Sequence, residues 1–145
     1  HPLIFSEGEA VFKHCRSRGF ECRVVAAPSS VDSILAEVSD IEDALSSGYH
    51  TCLAETILRP RAGPRKGAAA VLLCLDRVVR GGRFGDFCRR IEASYPRWHK
   101  IFAVKCADSS SKAVRLSGRV DQLRGWEKKI VHMMSLVVPE FMGKD

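Results

Sequence analysis

The stretch Ala68-Ala69-Ala70-Val71-Leu72-Leu73-Cys74-Leu75-Asp76-Arg77-Val78-Val79 decides the fold class. Its first eight positions are apolar without alternation, the pattern of a strand covered on both faces. A sheet covered on both faces needs layers of helix, so the run implies an α/β architecture. We read one buried strand over residues 68–79. On its C-terminal side Gly81-Gly82 turns the chain, and Phe84, Phe87, Cys88, Ile91 and Tyr95 recur at helical intervals up to Pro96. That spacing predicts an amphipathic helix. Residues 100–107, 112–120 and 131–138 complete the strands expected in this half. On the N-terminal side, residues 51–58 fit a strand, and the same spacing also fits a short helix. Residues 59–67 between them hold two prolines, two glycines and four basic side chains, which makes a basic loop.

Further out, residues 2–5 form a short apolar run. Ser6-Glu7-Gly8-Glu9 supplies a capping oxygen and early negative charge for a helix that runs to Gly19. Residues 21–27 read as the next strand, closed by Pro28-Ser29-Ser30, whose hydroxyls can cap a helix over residues 31–38. This β-α-β-α stretch takes a right-handed parallel crossover as its default. Residues 39–49 turn acidic and then small and polar, as a connection between lobes does. We therefore divide the chain into residues 1–46 and residues 47–145, the second a mixed-sheet α/β lobe.

Composition narrows the function classes. The 145 residues are 46% hydrophobic and 28% charged, too apolar for a disordered chain. Arg77, Arg80 and Arg83 interrupt the longest apolar run well short of the roughly 20 residues that span a bilayer. Cys15, Cys22, Cys52, Cys74, Cys88 and Cys106 show neither a Cys-x-x-Cys pair nor a zinc-type Cys/His spacing. Most sit in apolar strings, so we read them as reduced core residues of a cytoplasmic protein. His14, His50, His99 and His132 fall in different elements and make no metal site, and no Ser/His/Asp order supports hydrolysis. No catalytic residue is assigned. The 23 Lys and Arg outnumber the 17 Asp and Glu, a net charge of +6. Arg59, Arg61, Arg65 and Lys66 form one basic cluster; Arg77, Arg80, Arg83, Arg89 and Arg90, with Phe84 and Trp98 in the neighbourhood, form a second. Such clusters suit RNA, a nucleotide or an acidic substrate. Simple solvation accounts for them as well, and it is the favoured reading.

The order of small motifs resembles the tetrapyrrole (precorrin-like) methylase superfamily. The pieces are His1-Pro2-Leu3-Ile4-Phe5, the helix ending at Arg18-Gly19, and Cys22-Arg23-Val24-Val25-Ala26-Ala27-Pro28-Ser29-Ser30. Gly48 to Glu55, Tyr95 to Lys100, the Arg119-Val120-Asp121-Gln122-Leu123 hairpin and Met134-Ser135-Leu136-Val137-Val138-Pro139 are similar to the subgroup that holds MazG-fused methylase domains and borosin-type peptide N-methyltransferases. The resemblance implies the later part of a Rossmann-like methylase lobe followed by the mixed-sheet lobe. It also implies S-adenosylmethionine-dependent methyl transfer. The cofactor would meet backbone at His1, Pro2, Pro28, Ser29, Ser30, Thr51, Cys52, Cys74, Leu75 and Ala107.

Two departures qualify the resemblance. The family's Gly-x-Gly-Pro-Gly loop, about half a domain before the His-Pro strand, has no counterpart, so the enzyme reading expects an N-terminal segment, in the intact chain or as a separate fragment, to supply it. Ser29 stands where the family has glycine, and its Cβ resists positive φ. Alternatives are a non-catalytic methylase-like binding domain and a basic RNA-associated domain. The resemblance further implies a homodimer, and the methyl acceptor is not legible.

Overall fold

The computed structural model describes residues 6–23, 29–40, 48–64 and 67–141. Strands β1 (Tyr49–Leu53), β2 (Ala69–Leu73), β3 (Lys100–Lys105), β4 (Val114–Arg119) and β5 (Ser135–Val138) share one mixed sheet in the order β1-β2-β5-β3-β4. β1 runs parallel to β2, and the other three pairings are antiparallel. The register sets Leu53, Leu73, Ser135, Val104 and Arg115 in one cross-strand row, and Thr51, Val71, Val137, Phe102 and Ser117 in the next. Successive residues of a strand point to opposite faces. The rows therefore define one face, and Ala70, Leu72, Ile101, Ala103, Leu136 and Val138 point to the other.

That second face carries the larger core. Helices α3 (Leu75–Arg80) and α4 (Phe84–Ser94) and two 3-10 helices, Ala54–Leu58 and Val120–Lys129, cover it. Phe84, Phe87, Ile91, Leu75, Ile57, Leu123 and Met134 are fully or almost fully buried there. Helix α2 (Ser30–Glu37) lies on the first face, where Val31, Ile34 and the following Val38 pack with Val71, Leu73, Phe102, Val104 and Val137. Arg115 of the edge strand β4 fixes the far end of that helix. Its Nη1 donates to the Glu37 carbonyl at 3.1 Å and to Asp40 Oδ1 at 2.7 Å, and its guanidinium lies 5.1 Å from the centre of the Phe102 ring. A cation at a helix C-terminus meets the orphan carbonyls and the negative end of the dipole.

The fold class read from the sequence holds: the chain is α/β with a five-stranded mixed sheet. Several boundaries move. The run read as one strand over 68–79 is a strand only to Leu73; Cys74 takes a left-handed backbone (φ 58°), and α3 follows. Unbroken hydrophobicity does not separate a two-face strand from a buried helix. The signal for the helix was the spacing of Leu75 and Val78 with charges between. Residues 51–58 are both readings in turn, strand through Leu53 and then 3-10 helix. The hairpin read at residues 119–123 is the start of the 3-10 helix Val120–Lys129. Val120, Leu123 and Trp126 recur every third residue and are its buried positions, as three residues per turn requires.

The last strand begins at Ser135, and Glu21–Arg23 take no strand conformation. The first helix, α1 (Ser6–Ser17), stops as read, with Gly19 at φ 81°. Residues 2–5, most of the strand read over 21–27, and the 46/47 boundary lie outside the described residues. No described helix is long and apolar enough to cross a membrane. Cys15, Cys22, Cys52, Cys88 and Cys106 are free thiols.

Helix α2 holds to the sheet by three aliphatic side chains, so truncating Ile34, 2% exposed, should register strongly. Ile34→Ala should lower unfolding free energy by about 2–5 kcal/mol. Denaturant titration followed by circular dichroism measures it.

Candidate functional site

Ligands of open α/β sheets sit beyond the carboxyl ends of the strands. Here the carboxyl ends of β2 and β3 meet the start of β5 and the first turn of α2 around a pocket of about 190 Å³. Ile34 and Leu73 supply its aliphatic wall, Cys74, Cys106 and Met133 its sulfur atoms, and Ser30, Lys105, Asp108 and Ser135 its polar groups; Ala107 completes the lining. An apolar hollow with a few placed polar groups is the usual make-up of a small-molecule site.

Each wall has a local cause. Ser29 caps α2 through a reciprocal box: its Oγ accepts from the Asp32 backbone N–H at 3.3 Å, and its own N–H donates to Asp32 Oδ2 at 2.7 Å. The Ser29 backbone N–H, and then its hydroxyl, which donates to the same Oδ2 at 2.9 Å, hold the Asp32 carboxyl below its ordinary range. The β3 end is shaped by a second carboxylate. Asp108 Oδ1 accepts from the Ser110 backbone at 2.8 Å and hydroxyl at 2.7 Å, while Oδ2 accepts from Lys105 Nζ and Ser111 Oγ, each at 2.9 Å. Lys105 Nζ also donates to Ser111 Oγ. An aspartate bonded two residues ahead forms a tight turn of its own. Lys105, followed by those serine bonds, pulls the Asp108 carboxyl far below the usual carboxylate range. Burial, helped by the nearby Glu37 charge and opposed by Lys105, pushes the Cys106 thiol up, so it stays protonated.

The third wall is strained. Cys74 (φ 58°) and Met133 (φ 62°) both adopt left-handed backbone without being glycine, and both line this pocket. Two contacts brace the segments that carry them. Leu75 N–H donates to the Met134 carbonyl at 2.7 Å, and His132 Nδ1 lies 3.1 Å from Oδ2 of the buried Asp76. Arg80 reaches the same oxygen at 2.8 Å.

Of the positions the resemblance implied, Ser30, Cys74 and Ala107 come together around this pocket. Ser29 stands one residue behind, with its hydroxyl engaged as a helix cap. Thr51 is exposed on β1 beside Val71, on the α2 face but not in the lining. Cys52 points to the opposite face, against the larger core, where burial pushes its thiol up. Leu75 is fully buried in that same core. His1, Pro2 and Pro28 lie outside the described residues. Ile34, Lys105, Asp108, Met133 and Ser135 were missed. The polar run Asp108-Ser109-Ser110-Ser111 directly after an apolar strand was the available signal for the Asp108 turn. Among the described residues no group of three or more His, Cys, Asp or Glu side chains could hold a metal ion.

The sequence matches no family profile and no curated protein. The structure is similar in fold to solved chains. It is similar to uroporphyrin-III C-methyltransferase from Thermus thermophilus, with a TM-score of 0.70 at 17% identity over 99% of this chain and 62% of that one. The Thermus thermophilus enzyme complexed with S-adenosyl homocysteine gives 0.64 at 16% identity, over 96% and 62%. The cobalamin biosynthetic enzyme cobalt precorrin-4 methyltransferase gives 0.65 at 13% identity, over 95% and 60%. The fold is that of the tetrapyrrole methylases. The chain thus spans about three fifths of the length of these tetrapyrrole methylases, aligned along nearly all of its own. At such identities the likeness is one of architecture.

The cap at the pocket's α2 side is open to test. Ser29→Ala should cost about 1 kcal/mol of stability. Asp32→Asn should also destabilise at pH 7, and that difference should shrink as the pH falls below about 4, because a depressed carboxyl stabilises fully above its unfolded pKa and loses that contribution as the pH falls through its lower folded one. Thermal melts of the variants against pH give both results.

Proposed function

We propose that this chain contributes to an S-adenosylmethionine-dependent methyltransferase, and that the pocket at the ends of β2 and β3 receives part of the cofactor. The observation that carries the reading is the convergence of Ser30, Cys74 and Ala107 on one hollow, in a fold shared with methyltransferases. One such enzyme is solved with S-adenosyl homocysteine.

The residues present suit the group. S-adenosylmethionine supplies a methyl group on a sulfonium, whose departure as a neutral thioether needs no acid, so the protein's work is orientation and exclusion of water. Ile34, Leu73 and Met133 provide the water-excluding surface. Backbone at Leu73-Cys74 and Cys106-Ala107 provides fixed donors and acceptors, and the Ser30 and Ser135 hydroxyls add two adjustable ones. The Asp108 turn keeps the β3 end rigid. A volume of about 190 Å³ falls below the roughly 300 Å³ of the smallest drug-sized sites. In this reading the described residues form one wall of the cofactor site.

Isothermal titration of the protein with S-adenosylhomocysteine should show saturable binding at one site per chain. Ala107→Trp places a large ring at an exposed lining position without touching the core, and should weaken binding at least about tenfold while leaving the circular dichroism unchanged. Absence of binding by the parent protein, or equal binding by the variant, contradicts the assignment.

A further inference from the structure

We infer that the arginine-rich surface over α3, α4 and the 3-10 helix Ala54–Leu58 docks the phosphate backbone of a nucleic-acid duplex, a function beyond the methyltransferase reading and independent of it. The surface belongs to the helical layer on the face of the sheet opposite α2. At its centre Leu58, Arg83, Asp86, Arg89 and Arg90 line a hollow of about 310 Å³. Of the three guanidiniums there, two share the hollow's one carboxylate: Asp86 pairs with Arg89 and lies 3.9 Å from Arg83. Arg90 has no ion-pair partner among the described residues. Neither do Arg59 and Arg61, which follow Leu58, nor Arg77 on α3, and all four are exposed. Of the layer's other acids, Asp76 on α3 is buried and already held by Arg80 and His132, Glu92 on α4 is paired with Arg124, and Glu55 is exposed on the 3-10 helix.

An accumulation of unpaired cations repels itself unless an anion covers it. The chemistry of the group selects the anion. Guanidinium forks bind phosphate oxygens two at a time, and the exposed cations are carried by three neighbouring segments of the layer rather than by the hollow alone, as contact with a run of phosphates requires. The exposed large apolar side chains, Val11, Phe20, Tyr49, Trp98, Val114, Val131 and Met133, all lie on other elements. The patch therefore offers no ring for stacking unpaired bases and no wedge for a bilayer. What remains is sequence-independent contact with a regular array of phosphates.

The test is fluorescence anisotropy of the whole chain with an end-labelled RNA duplex of about 20 base pairs, between about 50 and 200 mM salt. Binding should fall steeply with salt. Arg89→Glu/Arg90→Glu should weaken it at least about tenfold at the low-salt end, and Arg90→Gln should reduce the log–log salt slope by about one. Lys100→Glu, on the α2 face of the sheet, should leave the slope unchanged. Circular dichroism confirms that each variant is folded; should the double reversal fail to fold, Arg90→Gln alone decides the outcome. No binding at low salt, equal binding by the arginine variants, or tighter binding to phosphatidylserine vesicles than to the duplex would overturn the inference.

Discussion

Burial of the β2, β5 and β3 strands from both sides is the constraint on which the rest of the structure depends. β2 is fully buried along its length, which leaves no solvated face to stabilise it. The helical layer satisfies one side with large side chains such as Phe84, Phe87 and Leu123. The other side depends on α2 alone among the described elements, through Val31, Ile34 and Val38. Because that helix must start where the strands end, its first turn closes over the β2 and β3 termini. The pocket is a geometric result of covering the sheet.

The pocket's fine shape comes from local strain held by hydrogen bonds. Left-handed backbone at Cys74 and Met133 is costly for residues with a Cβ, on the order of 1 kcal/mol each. It persists because the Leu75 to Met134 bond and the Asp76 to His132 contact pin the two segments together. Asp76 Oδ1 is buried with no hydrogen-bond partner among the described residues, a further cost located beside the same brace. Of the three non-glycine residues with positive φ among the described residues, two line this hollow, which is the kind of strain a preorganised site holds.

Much of this architecture was legible before any coordinates. The apolar run read as a strand over 68–79 identified the fully buried β2, though not its end, Gly81-Gly82 and the Phe84 to Tyr95 periodicity located α4, and Pro28-Ser29-Ser30 marked the start of α2. What escaped were places where periodicity is silent or tertiary contacts override it. The turn at Cys74 is set by a left-handed residue that composition does not announce. The 3-10 helix at Val120–Lys129 follows a period of three, which a search for periods of two and 3.6 passes over. For the candidate site, the resemblance implied Ser30, Cys74 and Ala107, which fall at element ends, and the structure brings these three around one pocket. Leu75, next to Cys74, and Cys52, next to Thr51, point into the opposite core. A one-residue step along a strand reverses the face, so adjacency to a site residue carries no information about reach.

The central claim is that the carboxyl ends of β2 and β3 under α2 form the ligand-binding surface. Amide chemical-shift mapping on isotopically labelled protein with S-adenosylhomocysteine tests it most directly. The account predicts shifts confined to Ser30, Leu73, Cys74, Met133 and the 105–108 turn. Shifts centred on the far end of β3, around Trp98 and Lys100, or on the arginine surface of α4, would contradict it.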